Sequence, residues 1–404
     1  MTISSPSAGA ENYRGIWLTI LLSLLLGFAS ISTDLYLPAM PSMGAQLGAS
    51  QGQLELTVSG YLMGFALGQL FWGPVSDRFG RKVPLMLGIA IFVVGAAGCA
   101  LSTDATQLIA ARIVQALGAS AAVVLGRAMV RDLFHRDEAA RMLSTLMLIM
   151  GIAPMIGPSV GAQILALSSW QSIFWVLVGV GGVTLIGLAR TAESLPRSMR
   201  GERNLAQAFL AYGPHFKNAK LMAHAMILGC FGAGVFAYVA GSSFVFIEYF
   251  SLSPQAYGLI FASGIGGIML SNAVNLRLVG RFGSNRMLFI GTSIAAVAGL
   301  LILLVASAGW GGWIGFSIAL FAYIGMNGLI GANAIAGGLS SVEQGTGSAS
   351  ALLGFAQYGG GMVGSALIGL LANGTPMPMA LIISVSATCA VVISLTISRR
   401  RASQ

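Results

Sequence analysis

The sequence predicts an all-α membrane protein of twelve transmembrane helices, arranged as two related halves of six. Three observations carry this expectation. Of 404 residues, 56% are hydrophobic and only 8% are charged. A soluble domain carries about 25% charged residues, so this chain cannot clothe a water-facing surface of its size. The few charges fall at intervals, separated by uncharged stretches long enough to cross a bilayer core of about 30 Å. Finally, a short motif that follows the second stretch recurs after the eighth. Soluble enzyme, nucleic-acid binder and disordered chain are poor readings of such a composition.

The elements follow in order from the charge gaps. No charge lies between Arg14 and Asp34, between Glu55 and Asp77, or between Lys82 and Asp104. Each gap holds a helix of about 20 residues. The gaps from Arg141 to Arg190, Arg286 to Glu343 and Glu343 to Arg399 each hold two, with turns near Ser169, Gly309 and Asn373. The expected spans are 15–37, 53–74, 84–102, 106–129, 142–166, 170–189, 220–249, 255–277, 287–307, 311–337, 346–372 and 377–397. They must be helices, because lipid offers no partner to open backbone groups. The runs do not alternate as barrel strands would. Only Arg14 precedes the first run, which reads as a retained span rather than a cleaved leader. The 55 glycines suit closely packed membrane helices.

The net charge of +9 is spread over many short segments, which argues against a nucleic-acid surface. Its placement instead fixes an orientation. With the N-terminus in the cytoplasm, Arg78, Arg81, Lys82, Arg131, Arg136, Arg141, Arg190, Arg197, Arg200, Arg203, Lys217, Lys220, Arg281, Arg286 and Arg399 to Arg401 all fall inside. The opposite loops, near 38–52, 103–105, 167–169, 250–254, 308–311 and 373–376, contain no Lys or Arg. This is the positive-inside pattern, with both termini cytoplasmic. Cys99, Cys230 and Cys389 lie in apolar runs without ligand spacing and read as inert core thiols.

The one long polar stretch, 190–219, falls midway. It divides the chain into a cytoplasmic segment 1–14, a six-helix half 15–189, a linker 190–219, a second half 220–397 and a tail 398–404. Asp77-Arg78-Phe79-Gly80 after the second span is echoed by Gly280-Arg281-Phe282-Gly283 after the eighth, as an internal duplication would leave.

A few polar residues inside the spans are candidates for work. Asp34 sits near the outer end of the first span. A charge at a helix centre in lipid costs about 2.5–3.5 kcal/mol on insertion scales, less near an interface. Asp34 therefore either binds and releases a proton as access alternates, or caps a broken helix beside Pro38, or is simply hydrated at the interface. Arg112 enters the fourth span by about six residues, roughly 9 Å, at a depth like that of Asp34. It is expected either to share a chamber with Asp34 and tune its proton affinity, or to serve as a fixed structural group. In the hairpin Gly73-Pro74-Val75-Ser76-Asp77-Arg78-Phe79-Gly80-Arg81-Lys82, Gly73 permits close backbone approach and Asp77 is placed to satisfy the amides opening the third span. In the fifth span, Pro154 and Pro158 remove backbone donors, and Gly157 and Gly161 allow tight packing. Tyr36, Tyr61, Phe236, Tyr238, Asn333 and Gln357 are the aromatic and amide residues expected to line a mostly apolar cavity. Glu55, Glu248 and His224 read as interfacial groups.

Taken together, these segments resemble the major facilitator superfamily. Residues 73–85 match its cytoplasmic signature, and Leu108 to Ser120 its fourth-helix arginine motif, with Ala116 where Gly is usual. Gly151 to Ala162 is similar to its fifth-helix antiporter motif, and Asp34 to Pro41 to the first-helix signature of drug/proton antiporters of the bicyclomycin and chloramphenicol group. The resemblance implies the major facilitator fold, two pseudo-symmetric six-helix bundles that rock about a central cavity. It also implies a monomer in the lipid of a bacterial inner membrane, exporting small amphipathic drugs without a cofactor and driven by the proton gradient. By the same resemblance, Asp34 is the proton site, Arg112 its partner, and Gly73, Asp77, Arg78, Gly80 and Arg81 a conformational gate. A metabolite or sugar carrier on the same fold is the alternative. An enzyme is not expected, because His135, His215 and His224 make no metal or nucleophile constellation with the acids. No metal and no nucleic acid is expected as a partner.

Overall fold

The computed structural model describes residues 8–134, 136–200, 210, 212–342 and 345–402. Of the residues named above, His135, Arg203 and Glu343 lie outside the described residues, as do the side chains of Arg14, Arg136, Arg141 and Arg399 to Arg401.

Among the described residues, twelve long helices follow one another along the chain. The first half holds α1 (Ala8–Asp34), α2 (Gln51–Phe79), α3 (Lys82–Ala100), α4 (Ala105–Leu133), α5 (Arg136–Leu167) and α6 (Trp170–Ala189). The second holds α7 (Ala219–Ser243, continued by a π turn Phe244–Tyr249), α8 (Pro254–Phe282), α9 (Ser284–Ala308), α10 (Gly312–Gly325 and Asn327–Leu339), α11 (Thr346–Leu371) and α12 (Met377–Ala402). Among the described residues, ten of these are long and apolar enough to cross a membrane. The other two are α2, where Gln51, Gln53, Glu55 and Gln69 dilute the apolar run, and α5.

The helices outrun the charge gaps. Helix α2 continues through Asp77 and Arg78, and α4 through Arg131. A charge marks where a span leaves the apolar layer, not where its hydrogen bonds stop. Helix starts are set by caps: Ser50 and Gln53 form a reciprocal box on α2, Asp104 accepts from the Gln107 amide on α4, and Ser253 caps α8. The 38–52 stretch, expected as a loop, holds a 3-10 turn, Leu37–Ala39, and a short helix, Met40–Leu47. Its apolar residues Met40 and Met43 are fully buried. Burying that face stabilises a helix too short to stand alone.

Helix pairings in the first half recur six helices later. Helices α2 and α4, α3 and α4, α3 and α6, and α1 and α5 pack together; so do α8 and α10, α9 and α10, α9 and α12, and α7 and α11. The halves meet through α2 with α11 and α5 with α8, which the same relation exchanges. The α2–α11 seam is joined from Gly52 to Gln69: Gly52 lies on Gly369, the Ser59 hydroxyl donates to the Met362 carbonyl (3.1 Å), and Gly354 lies against Gln69. The α5–α8 seam meets where Ser159 lies on Gly258.

We call the end bearing Arg78, Arg81, Lys82, Arg200 and Arg281 the basic end, and the other the cation-free end. The cation-free end is closed, with the short helix Met40–Leu47 packed on the π turn of α7. Toward the basic end, α8 buries only Ser271 and Asn275 beyond Gly267, and leaves Leu270 and Leu276 exposed. Ile152, Met155 and Ile156 of α5 are exposed as well. The chain between the halves is tied across the other seam. Tyr212 donates to the Leu70 carbonyl of α2 (3.2 Å), and His215 shares a hydrogen bond with Ser348 of α11 (2.7 Å).

Candidate functional site: a buried arginine, an acid and an aromatic row

Arg112 is fully buried in α4. Its guanidinium lies between the rings of Tyr36 (4.4 Å) and Tyr61 (4.2 Å), with Phe174 at 6.0 Å. A desolvated cation between aromatic faces gains about 2 kcal/mol or more. Its Nη1 donates to the Ser32 carbonyl (2.9 Å) and to Gln115 Oε1 (2.6 Å), while Nε and Nη2 have no partner. No carboxylate pairs with it. Among the described residues, the ion pairs are those of Arg81 with Asp77 and Asp132 and of Arg200 with Glu193.

Asp34 ends α1 and is buried. The helix stops because Pro38 supplies no amide hydrogen, and the backbone tightens into the 3-10 turn that follows. Asp34 and Leu35 lie on the glycine face of α5. The Asp34 β-carbon would stand 3.0 Å from a β-carbon at Gly157, and one at Gly161 would overlap the Leu35 carbonyl. The structure therefore brings together Asp34, Gly157 and Gly161, which sequence reasoning named separately. Helix α5 itself continues through Pro154 and Pro158. Tyr61, Tyr238, Tyr257 and Tyr358, from both halves, lie within electrostatic reach of Asp34. Asp34 and Arg112 thus share one buried neighbourhood without an ion pair.

An aromatic row crosses between the halves. Tyr61 stacks on Phe65 (6.1 Å), Phe65 meets Tyr358 (4.5 Å), and Tyr358 meets Phe236 (5.8 Å). Of the six residues expected to line a cavity, Tyr61 and Phe236 belong to this row, and half-buried Gln357 precedes Tyr358 in α11. Tyr36 covers Arg112 and bonds Thr57 (3.0 Å). Tyr238 stacks on Phe261 (5.4 Å) and lines a small, shallow recess with Ser263, Ser317 and Phe321. Asn333 lies apart from these. It donates to Asn275 (2.6 Å) and to the Leu329 carbonyl (2.8 Å), inside the contact of α8 with α10. No group of three or more His, Cys, Asp or Glu side chains among the described residues could hold a metal.

The hairpin at the basic end differs from expectation in two ways. Asp77 does not cap α3. It lies in the last turn of α2 and accepts from Arg81 Nη1 (2.6 Å), while Glu193 takes the amides of Arg81 (2.7 Å) and Lys82 (3.2 Å). Gly73 has open space where a β-carbon would stand, so it serves no close approach. Gly80 is the glycine the turn requires, at φ +91, where a side chain would also collide with Glu193. Arg81 further donates to Ser76 Oγ (2.7 Å) and to Asp132 of α4 (2.8 Å), while Arg78 lies over the Phe79 ring (5.5 Å). Burial alone would lower the Arg81 pKa, but the carboxylates of Asp132 and Asp77 outweigh it and raise it. Burial alone would likewise raise the Glu193 carboxyl; the amides of Leu195, Arg81 and Lys82 and the Arg200 guanidinium hold it below its usual value.

Sequence reasoning missed Asp132, Glu193 and Gln115 as partners. Only their proximity in space, across up to 112 residues of chain, marks the first two. It also placed Glu55 and His224 at an interface, whereas Glu55 is 1% exposed and His224 fully buried.

Comparison with known proteins agrees with this architecture. A family model described as Major Facilitator Superfamily matches residues 22–365. The chain is 33% identical over 393 residues to "Uncharacterized MFS-type transporter YdgK" of Bacillus subtilis (strain 168), covering 96% of each. It is 29% identical over 372 residues to a bicyclomycin resistance protein homolog of Haemophilus influenzae, covering 89% of this chain and 92% of that one. A solved D-xylose-proton symporter is similar at a TM-score of 0.74 and 16% identity, over 94% of this chain and 96% of that one, a likeness of fold.

Proposed function

We propose that this chain, which belongs to the major facilitator superfamily, exports small amphipathic drugs of the bicyclomycin or chloramphenicol kind in exchange for protons. It is a transporter of small molecules rather than an enzyme. In this reading it works as a monomer in the bacterial inner membrane, with both termini and the basic end in the cytoplasm. It needs no cofactor beyond the proton gradient. One observation carries the reading: a buried carboxyl, Asp34, seated on the Gly157–Gly161 face of α5 beside a buried cation that no carboxylate neutralises. A proton on Asp34 leaves Arg112 as the only full charge there, and loss of that proton lets the two attract across the same space. The aromatic row joining both halves then offers an apolar surface to a cargo with few polar groups. One charge moved through 100 mV yields about 2.3 kcal/mol, enough for useful accumulation against a gradient. The drug class rests on the similarity to the bicyclomycin resistance homolog and on the first- and fifth-helix motifs. A metabolite or sugar carrier would rest on likeness of fold alone.

The test is efflux from cells or inverted vesicles expressing the wild type or Asp34→Asn. The variant is expected to remain folded and to lose proton-driven efflux to the level of vesicles without the protein. Undiminished efflux in Asp34→Asn would remove this carboxyl from the coupling mechanism. A susceptibility panel with and without the gene names the cargo.

A further inference from the structure

The cation-free end holds an acid that the transport reading does not use. Glu55 lies one turn into α2, on the face that meets the second half. Gly52, three residues before it, lies on Gly369, and Ser59, four residues after it, donates to Met362. Glu55 is 1% exposed. Its Oε1 accepts from Gln51 Nε2 (2.9 Å), and its Oε2 has no partner.

Among the described residues, no cation at this end pairs with Glu55. The titratable group facing Glu55 is another acid, Glu248, on the π turn of α7. The short helix Met40–Leu47 and helix α11 contain no charged residue. On α4, Asp104 caps the Gln107 amide, and Arg112 lies between Tyr36 and Tyr61. Lys82 of α3 and Lys220 of α7 sit at the basic end. Burying an unpaired carboxylate costs several kcal/mol even after relaxation, whereas a protonated carboxyl has only its hydroxyl and carbonyl to satisfy. The same packing that closes this end of the molecule is what buries Glu55. Parting the short helix and α2 from α7 and α11 would return it to water.

We propose that Glu55 is a second proton-binding group, whose occupancy is linked to closure of the cation-free end. The closed form holds the proton and the opened form releases it, so acid favours closure and alkali favours opening. This stands apart from the role given to Asp34, and a single experiment separates the two.

Cysteines for spin labels are placed at Ala45 and Tyr249, both exposed and on opposite halves at this end. Cys99, Cys230 and Cys389 are replaced in the same full-length chain, and distances are read by pulsed electron resonance in lipid nanodiscs from about pH 5 to 9. In the wild type, the short-distance population is expected to fall at least about twofold as pH rises across that range. Glu55→Gln, a neutral isostere that keeps the bond to Gln51, is expected to stay closed throughout. Glu55→Asp and Asp34→Asn are expected to keep the pH response. The proposal is overturned if the wild type does not respond, or if Glu55→Gln responds like the wild type. It is equally overturned if Asp34→Asn removes the response, or if sodium or calcium restores closure at high pH, which would mark a metal ion as the ligand.

Discussion

Arg112 is costly where it lies. Two of its donor atoms are buried without partners, a penalty of about 1–3 kcal/mol each, against which the Tyr36 and Tyr61 faces return about 2 kcal/mol. Buried charges of this kind often contribute nothing net to folding, and apolar replacements of like volume can be neutral or stabilising. Arg112→Met is therefore expected to leave the melting temperature in detergent unchanged or raised, while transport falls at least about tenfold. A large loss of stability would show instead that the arginine is structural. The position of Arg112 was legible in the sequence, because a lone charge in a uniform apolar run has few explanations. Its cage was only half legible. Tyr36 and Tyr61 were expected to face cargo, and nothing in their spacing says that one ring from the turn after α1 and one from α2 close over one guanidinium.

Among the elements, the contact of α1 with α5 holds the acid in place. A β-carbon at Gly161 would meet the Leu35 carbonyl, whereas at Gly151, on the same helix, nothing lies within 4 Å. Gly161→Val is expected to cost about 1–3 kcal/mol by overpacking and to abolish transport. Gly151→Val should melt within a degree or so of the wild type. Equal melting for the two variants would place the glycine contact outside the working fold. Span order and span number were readable, since long apolar runs with so few charges admit few arrangements, and α6 was bounded correctly at 170–189. The short helix Met40–Leu47 was not. Its eight residues include Pro41, Ser42, Gly44 and Gln46, and only tertiary burial of Met40 and Met43 makes it a helix.

Across the whole molecule, the hairpin at the basic end is clasped by the chain that links the halves. Glu193 holds the amides that open α3, and Arg81 ties α2 to α4 through Asp132. The Glu193 carboxyl is held below its usual value in the folded state. Its contribution is therefore present above the ordinary glutamate range, about pH 4.3, and is lost as pH falls through the lower folded value. The melting difference between the wild type and Glu193→Gln is expected to be steady near neutrality and to close on acidification below about pH 4. A difference that grows on acidification would reverse the assignment. Asp132→Asn, which leaves Arg81 half paired, should cost about 1–2 kcal/mol. The hairpin's order Asp-Arg-Phe-Gly-Arg was plain in the sequence. Its partners Asp132 and Glu193 were not, because pairing across helices leaves no local pattern.

The two seams between the halves are unlike. One is joined from Gly52 to Gln69, while α5 and α8 leave apolar side chains uncovered toward the basic end. Apolar side chains left uncovered along one flank only would meet the acyl chains along that flank. If the cargo is the amphipathic one proposed above, a solute already dissolved in the leaflet would slip in sideways without first passing through water, and the bilayer itself would become the first sieve for what the transporter carries.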